Sequence, residues 1–406
     1  MSRGRQAYTE KGRRFAGAAM LVCCGHQLVA QTATAPPLPP VTFAKVGTIT
    51  NAVTAKEPWV AIGAVQLDRD GGLFVSFPRE QTIRHFSRDG KYLASVGRKG
   101  RGPGEFEDLG GIGWLGDTLW AADGQQFHLF GPTGKYLRTQ RAAATTHDGY
   151  GVYAKVMLQG GWLAYHGTLY ADAMAAKRPR VTPMTVVLPP AGRLKEYARI
   201  AAGTLTLPLP GGGTLSSSER YAQRLNVDGI VRVAADGGLL VMVDREPRVS
   251  GGVAQYTVSI LEPSGVRRTQ RTFKVRAVSV RTEHVTEFVQ SYVETMRWSP
   301  RGKDQFPSEA SAKEYLMSNL TLPPVYPAVS GLLIGTDNAI WLRGLDLGQP
   351  TVTWTVLDAR LEPRFQVTLP AEFAPKAATR DELWGTAVDE DDVPYLVHYR
   401  RANSGR

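Results

Sequence analysis

The side chains that most often carry catalysis are scarce in this chain. Its two cysteines, Cys23 and Cys24, sit side by side in an apolar N-terminal run, and its seven histidines (His26, His85, His128, His147, His166, His284 and His398) are scattered. No Gly-x-Ser-x-Gly elbow, His-Glu-x-x-His pair or zinc-type cysteine spacing occurs, so any reactive group must be assembled from distant segments. His166 has the chemistry of a general base working near neutral pH and is the best catalytic candidate. Asp123 and Asp244 are hard oxygen donors of the kind that hold Ca²⁺ or Mg²⁺, and no other cofactor is called for. Arg79, Arg245 and Arg343, with the same two aspartates, are candidate ligand-binding groups. Arg98, Lys99 and Arg101 lie together in Gly97-Arg-Lys-Gly-Arg-Gly-Pro-Gly104, a glycine backbone that an anion can approach. This stretch is not a P-loop, because Gly-x-x-x-x-Gly-Lys-Ser/Thr is missing and Glu105-Phe106 leads back towards a strand. The plainer reading makes it a connection whose glycines permit tight crossing.

Positioning such dispersed groups requires a closed scaffold, and the sequence describes one. Forty-three glycines and 26 prolines in 406 residues are too many for a helical bundle and point to a turn-rich β structure. The clearest unit runs Ala64-Val-Gln-Leu67, turn Asp68–Gly72, Leu73–Phe77, Thr82–Phe86, turn Ser87–Gly90, Lys91–Val96. Short runs of β-branched and aromatic residues between Asp/Gly turns read as a four-stranded antiparallel meander. A second unit repeats it over 111–137, with Gly-Lys-Tyr-Leu shared at 90–93 and 134–137. Further turns between first and second strands are expected at Gly160-Gly161, Asp236-Gly-Gly238, Asp337-Asn338 and Asp389–Asp392, six in all, on a basic repeat near 45 residues with two insertions.

A meander of that size cannot bury its own apolar faces, whereas a radial array of them can. The predicted fold is an all-β six-bladed propeller of four-stranded antiparallel blades. Only Leu383–Val388 and Val393–His398 serve the last blade, and the unassigned strand Val41–Ile49 is expected to complete it, closing the ring. The second-strand ends then carry Arg79, Asp123, His166, Asp244, Arg245, Arg343 and His398, one set per blade, towards the central channel. Structural roles compete with each: propeller aspartates commonly bind turn N–H groups, and strand histidines are commonly satisfied within the core.

Gly97-Arg-Lys-Gly-Arg-Gly-Pro-Gly-Glu-Phe106, followed by Gly116-Asp-Thr-Leu-Trp-Ala-Ala-Asp123 and Phe127-His-Leu-Phe-Gly-Pro-Thr-Gly134, resembles an NHL-type repeat of bacterial six-bladed propeller proteins. The similarity is close over 64–140 and degenerate elsewhere, although Leu322-Pro-Pro-Val-Tyr-Pro-Ala-Val with Ile340-Trp-Leu-Arg343 resembles the fifth blade of exported members. The resemblance implies the fold and leaves activity open, since the family includes binding scaffolds, lyases and lactonase-like enzymes.

Two insertions interrupt the repeat. Within 281–320, Val285, Phe288, Val289, Tyr292, Val293 and Met296 form one apolar helical stripe. Pro307-Ser308 starts a second helix bearing Ala312, Tyr315, Leu316 and Leu320. This α-helical insertion between blades four and five is expected to cap the face opposite the turns counted above, as a rigid cover or as a moving lid. The other insertion, around Pro208–Ser218, reads as a loop with little structure of its own.

The N-terminus reads as an export signal. Arg3, Arg5, Lys11, Arg13 and Arg14 precede the apolar run Phe15–Gly25, and mostly small residues follow from Ala30 to Ala35. Eleven residues are too few to span about 30 Å of hydrocarbon. The expected organisation is a signal peptide over 1–35, a proline-rich spacer over 36–40 and a propeller over 41–402. Lipid attachment at Cys23 or Cys24 is a minor alternative that Val22 disfavours. Cleavage would leave a mature chain without cysteine, in the periplasm or outside the cell. Of the formal +11, the first fourteen residues hold +4, so the body's excess is too dilute for nucleic-acid binding. These readings favour a monomeric module binding a small-molecule or protein ligand in the cell envelope, with no transmembrane span after cleavage. A metal-assisted lyase or hydrolase on the same fold is the competing class.

Overall fold

A computed structural model describes residues 38–53, 59–142, 145–147, 150–166, 184–188, 195–199, 206–208, 214–216, 225, 227, 229–298, 306–320 and 322–402. The expected export signal, both lipidation candidates and Met296's side chain lie outside the described residues. Six antiparallel sheets follow one another along the chain, each a meander whose neighbours in sequence are neighbours in space. Blade one comprises Val65–Leu67, Leu73–Phe77, Thr82–Phe86 and Tyr92–Val96, and blade two comprises Leu109–Leu115, Thr118–Asp123, Gln126–Phe130 and Tyr136–Arg141. Blade three has Tyr150–Leu158, Gly161–His166, Met184–Leu188 and Lys195–Arg199, with a short fifth strand, Thr145–His147, paired ahead of its first. Blade four contains Ile230–Val233, Leu240–Ser250, Val253–Leu261 and Arg267–Arg276; blade five contains Val329–Ile334, Ile340–Gly344, Thr351–Leu357 and Pro363–Pro370. Blade six is built from Ala374–Ala378, Glu382–Val388 and Pro394–Arg401, and Phe43–Ile49 supplies its outer strand by pairing with Pro394–Arg401. The ring is therefore closed by the N-terminal strand, as the sequence predicts.

Each seam between blades is filled by its own cluster of buried apolar residues. Ile49, Trp59, Leu73, Phe77 and Trp384 fill the seam between blades six and one; Phe74, Phe106, Leu119 and Phe130 fill the next. Trp120 with Trp162, Leu163 with Leu240, Val243 with Leu342, and Trp341 with Leu383 mark the remaining four. Neighbouring residues of a second strand serve opposite seams: Leu73 packs towards blade six and Phe74 towards blade two. Both faces of these strands are buried, which explains why they read as continuous apolar runs rather than alternating ones.

One expected turn is misplaced. Asp389–Asp392 joins the second and third strands of blade six, and the first-to-second turn is Thr379–Asp381. Asp389 Oδ1 accepts the N–H groups of Asp391 and Val393, just as Asp68 Oδ1 accepts those of Asp70 and Gly72, so the two turn classes share one local chemistry. The true first strand, Ala-Pro-Lys-Ala-Ala, lacks the β-branched and aromatic residues by which strands are recognised. It follows that His398 lies within the third strand of blade six, not at a second-strand end.

The helical insertion forms between blades four and five. Helix α1 spans Thr282–Trp298, and α2 spans Glu309–Asn319. At the start of α2, Ser308 Oγ accepts the Ser311 N–H at 3.1 Å while Ser311 Oγ accepts from the Ser308 N–H, a reciprocal cap.

Candidate functional site

The second-to-third-strand turns and the connections between blades lie on one face, and the helices emerge there. The buried residues of α1 are His284, Val285, Phe288, Val289, Tyr292 and Val293; those of α2 are Ala312 and Leu316. All of these but His284 and Val285 share a cluster with Leu225 from the segment entering blade four, Tyr326 from the segment entering blade five, and Leu345 and Leu347 from the second-to-third-strand loop of blade five. The Tyr326 hydroxyl fastens the base of α1: it bonds His284 Nδ1 at 2.5 Å and accepts the Arg281 N–H at 3.0 Å. The hairpin Thr206–Pro208/Thr214–Ser216 pairs within the glycine-rich insertion, and its first strand runs beside α2. Two insertions distant in sequence thus meet over blades four and five. The exposed side of the pair carries Glu283, Glu287 and Glu294 on α1 and Glu309, Glu314 and Met317 on α2. Lys313 answers Glu309 at 2.9 Å.

Three of the residues expected at the second-strand ends tie one blade to the next or to its connection. Asp123 is buried, with Oδ1 accepting the N–H groups of Glu107 (3.1 Å) and Asp108 (2.6 Å), and Oδ2 within 3.2 Å of Gln126 Nε2 and His128 Nε2. His128 Nδ1 continues to Thr139 Oγ1 at 2.9 Å and that hydroxyl to Tyr136. Arg245 is buried and donates to the Val329 carbonyl, bridging blades four and five. Arg343 donates to Asp346 at 2.9 Å and to the carbonyl of Ala371 at 3.3 Å, in the connection entering blade six. Asp244 accepts from the Glu246 N–H and from Arg248 at the irregular stretch of its strand. Arg79 is exposed in the blade-one loop. His166 ends its strand opposite Val152, and its side chain lies outside the described residues.

The glycine-rich connection is likewise engaged internally. Arg98 pairs with Glu105 at 2.7 Å and Arg101 with Glu107 at 2.5 Å, while Glu105 also accepts the Gly102 N–H. The Gly102 N–H, then Arg98, hold the Glu105 carboxyl below its ordinary range. The glycines are used for close approach: a Cβ on Gly97, at φ +69°, would overlap the Phe106 ring and come within 2.8 Å of the Gly104 carbonyl oxygen. Among the described residues, no group of three or more His, Cys, Asp or Glu is placed to hold a metal ion.

Sequence reading missed the basic residues of the innermost strands. Lys155, Arg232 and Lys376 occupy the first strands of blades three, four and six, embedded in Ala-Lys-Val, Val-Arg-Val and Pro-Lys-Ala. Their signal was a cation inside an apolar strand, visible only once each strand's radial position is known.

No family model matches the chain, and no curated protein is similar to it. Among solved structures it is similar to an exported protein of Bacteroides fragilis (10% identity, TM-score 0.45, covering 90% of this chain and 100% of that one). It is similar to a member of the duf4221 family from Bacteroides vulgatus (10% identity, TM-score 0.45, 89% and 98% covered). A calcium-binding protein, regucalcin, from Agrobacterium tumefaciens also resembles it (10% identity, TM-score 0.39, 89% and 96% covered). The chain is a six-bladed β-propeller by its own sheet order, and what it does must be argued from its own residues.

Proposed function

We propose that this chain is an exported binding module that takes a small-molecule or protein ligand of the cell envelope on its helix-capped face. The observation that carries the reading is the joining of two separate insertions over blades four and five, rooted by a buried cluster that the six-fold ring does not need for closure. A propeller closes with short loops; elaboration confined to one face supplies a surface, and binding residues are disproportionately found on such loops over rigid scaffolds. Export rests on the basic and apolar order of residues 1–35. No helix among the described residues is long and apolar enough to cross a membrane. The assignment of Gly97–Phe106 as an NHL-type connection belongs to the same reading and rests on its residues alone.

Thermal denaturation against a library of envelope metabolites and peptides tests this. Ligands that raise the transition of the native chain should lose their effect when Glu287→Arg, Glu314→Arg and Met317→Glu alter the outward helical surface. Equal shifts in both proteins would place the ligand elsewhere.

A further inference from the structure

Blade four ends in an open edge. Its outer strand, Arg267–Arg276, pairs only with Val253–Leu261 and, at 10 residues, is longer than the outer strand of any other blade. One side of it is fixed against blade five: Phe273 and Val275 are buried, and Arg271 donates to the Leu361 carbonyl at 3.1 Å and pairs with Glu362. Gln270, Thr272, Lys274 and Arg276 form the other side and are exposed. The Ala277 N–H donates to the Gly252 carbonyl at 2.9 Å. Antiparallel alternation from that bond turns the N–H and C=O groups of Gln270, Thr272, Lys274 and Arg276 away from Val253–Leu261. The hydroxyls of the facing residues Thr257 and Thr272 lie 3.1 Å apart, as expected where a pair exchanges no backbone bonds and its side chains approach most closely. The same four residues therefore present backbone groups that the sheet does not use and side chains open to solvent.

This strand holds five cations and no acid. Arg267 donates to Gln270 at 3.0 Å, whereas Arg268, Lys274 and Arg276 make no ion pair or side-chain hydrogen bond among the described residues. Charges on an edge commonly keep other strands away. Edge protection is not general here, since Tyr92–Val96, the outer strand of blade one, bears no charge. Elsewhere the outer edges take extended chain. Phe43–Ile49 is the outermost strand of blade six, and Pro39–Val41 lies along the outer strand of blade five. There the Val41 N–H donates to the Gln366 carbonyl at 2.8 Å, and the Gln366 N–H to the Pro39 carbonyl at 3.2 Å. The N-terminal segment thus occupies the edges of blades five and six, and the next edge along the ring is that of blade four. Its occupant is neither the chain's own N-terminus, basic through Arg3, Arg5, Lys11, Arg13 and Arg14, nor the same strand of a second copy. Both would set cations against cations, which is unfavourable for directly opposed residues.

We propose that the outer edge of blade four receives an extended acidic polypeptide segment as a fifth strand. Its backbone pairs with Gln270, Thr272, Lys274 and Arg276, and carboxylates at two alternate positions stand opposite Lys274 and Arg276. The alternation follows from the two-residue period of side chains along a strand, and opposed side chains start from Cβ atoms about 4.5–5.5 Å apart. Backbone pairing supplies affinity and the two cations supply selectivity. This rim site is separate from the helix-capped surface and stands or falls independently of it.

Fluorescence anisotropy of the full chain with a labelled peptide of about ten residues, bearing glutamate at two alternate central positions and threonine or valine elsewhere, tests the site. Binding should be saturable and should weaken about tenfold in the double variant Lys274→Glu, Arg276→Glu. Replacing the two glutamates by lysines should restore binding to that variant and remove it from the native chain. N-methylation of one alternate set of peptide amides should abolish binding, while N-methylation of the other set leaves it intact. Amide exchange at Thr272, Lys274 and Arg276 should slow when the parent peptide binds. Absence of saturable binding below about 1 mM would overturn the proposal. So would equal binding of both N-methylated peptides, which requires only charge attraction, or an unchanged affinity in the charge-reversed variant.

Discussion

Replacing Asp123 separates a structural tether from a metal ligand. Its Oδ1 accepts two backbone N–H groups of the connection entering blade two, at 3.1 and 2.6 Å, and Oδ2 lies 3.2 Å from both Gln126 Nε2 and His128 Nε2. Truncation to alanine strands the Glu107 and Asp108 amides together with one polar ring. Hydrogen bonds to charged groups contribute about 1.5–3 kcal/mol each, and a stranded buried donor costs about 1–3 kcal/mol. Because the connection can relax towards solvent, the two amides together should cost about 2–5 kcal/mol rather than the sum of maxima. Asp123→Asn retains one carbonyl oxygen for both amides but turns an NH₂ group towards Gln126 and His128, so it should lose roughly half as much. Urea denaturation followed by tryptophan fluorescence, with and without Ca²⁺ or Mg²⁺, measures both changes. The reasoning is refuted if Asp123→Ala lies within about 0.5 kcal/mol of the native chain, the range of an inconsequential surface change. Loss of a divalent-cation response without loss of basal stability would instead assign Asp123 to a metal.

Acid sensitivity should trace to blade six. His398 is buried, stacked on Trp384 at 4.0 Å, with no hydrogen-bond partner at Nε2 and Glu382 Oε2 3.8 Å away. Burial holds its pKa below the ordinary 6.5, against the upward pull of Glu382. The unfolded chain therefore takes up this proton first, and stability should fall as pH drops through 6.5 and on through the lower folded value. His398→Phe should flatten the stability profile just below pH 6.5; an unchanged slope would disprove the assignment. Glu382, raised by burial but lowered further by the hydrogen bond and charge of Arg88, has a net pKa below 4.5, so its contribution should disappear at still lower pH. Gly97→Ala should destabilise the first inter-blade connection by roughly 2–5 kcal/mol, combining left-handed backbone strain with overpacking against Phe106, as read from denaturant midpoints.

Repetition made the fold legible. Leu73-Phe74, Leu119-Trp120, Ile340-Trp341 and Leu383-Trp384 each pair an apolar residue with an aromatic at the start of a second strand, and each pair serves two seams. The stripe from Val285 to Val293 placed α1, and Ser308 placed the start of α2, because helical period and cap chemistry are local. The site was less legible because the roles of its residues are set by radial position. Asp123 and Arg343 have the charge of ligand-binding groups, but partners many residues away engage them as tethers. Lys376 was hidden in a strand made mainly of small residues.

Photo-crosslinking in the cell that makes the chain tests the binding account most directly. A photoreactive residue at Glu287 or Glu314 on the outward helical surface should give discrete, saturable adducts with an envelope molecule. The same residue at Asp70 or Lys91, on the turns of the opposite face, should not. Adducts confined to Asp70 or Lys91, with none from either helix, would contradict the assignment of binding to the helix-capped face.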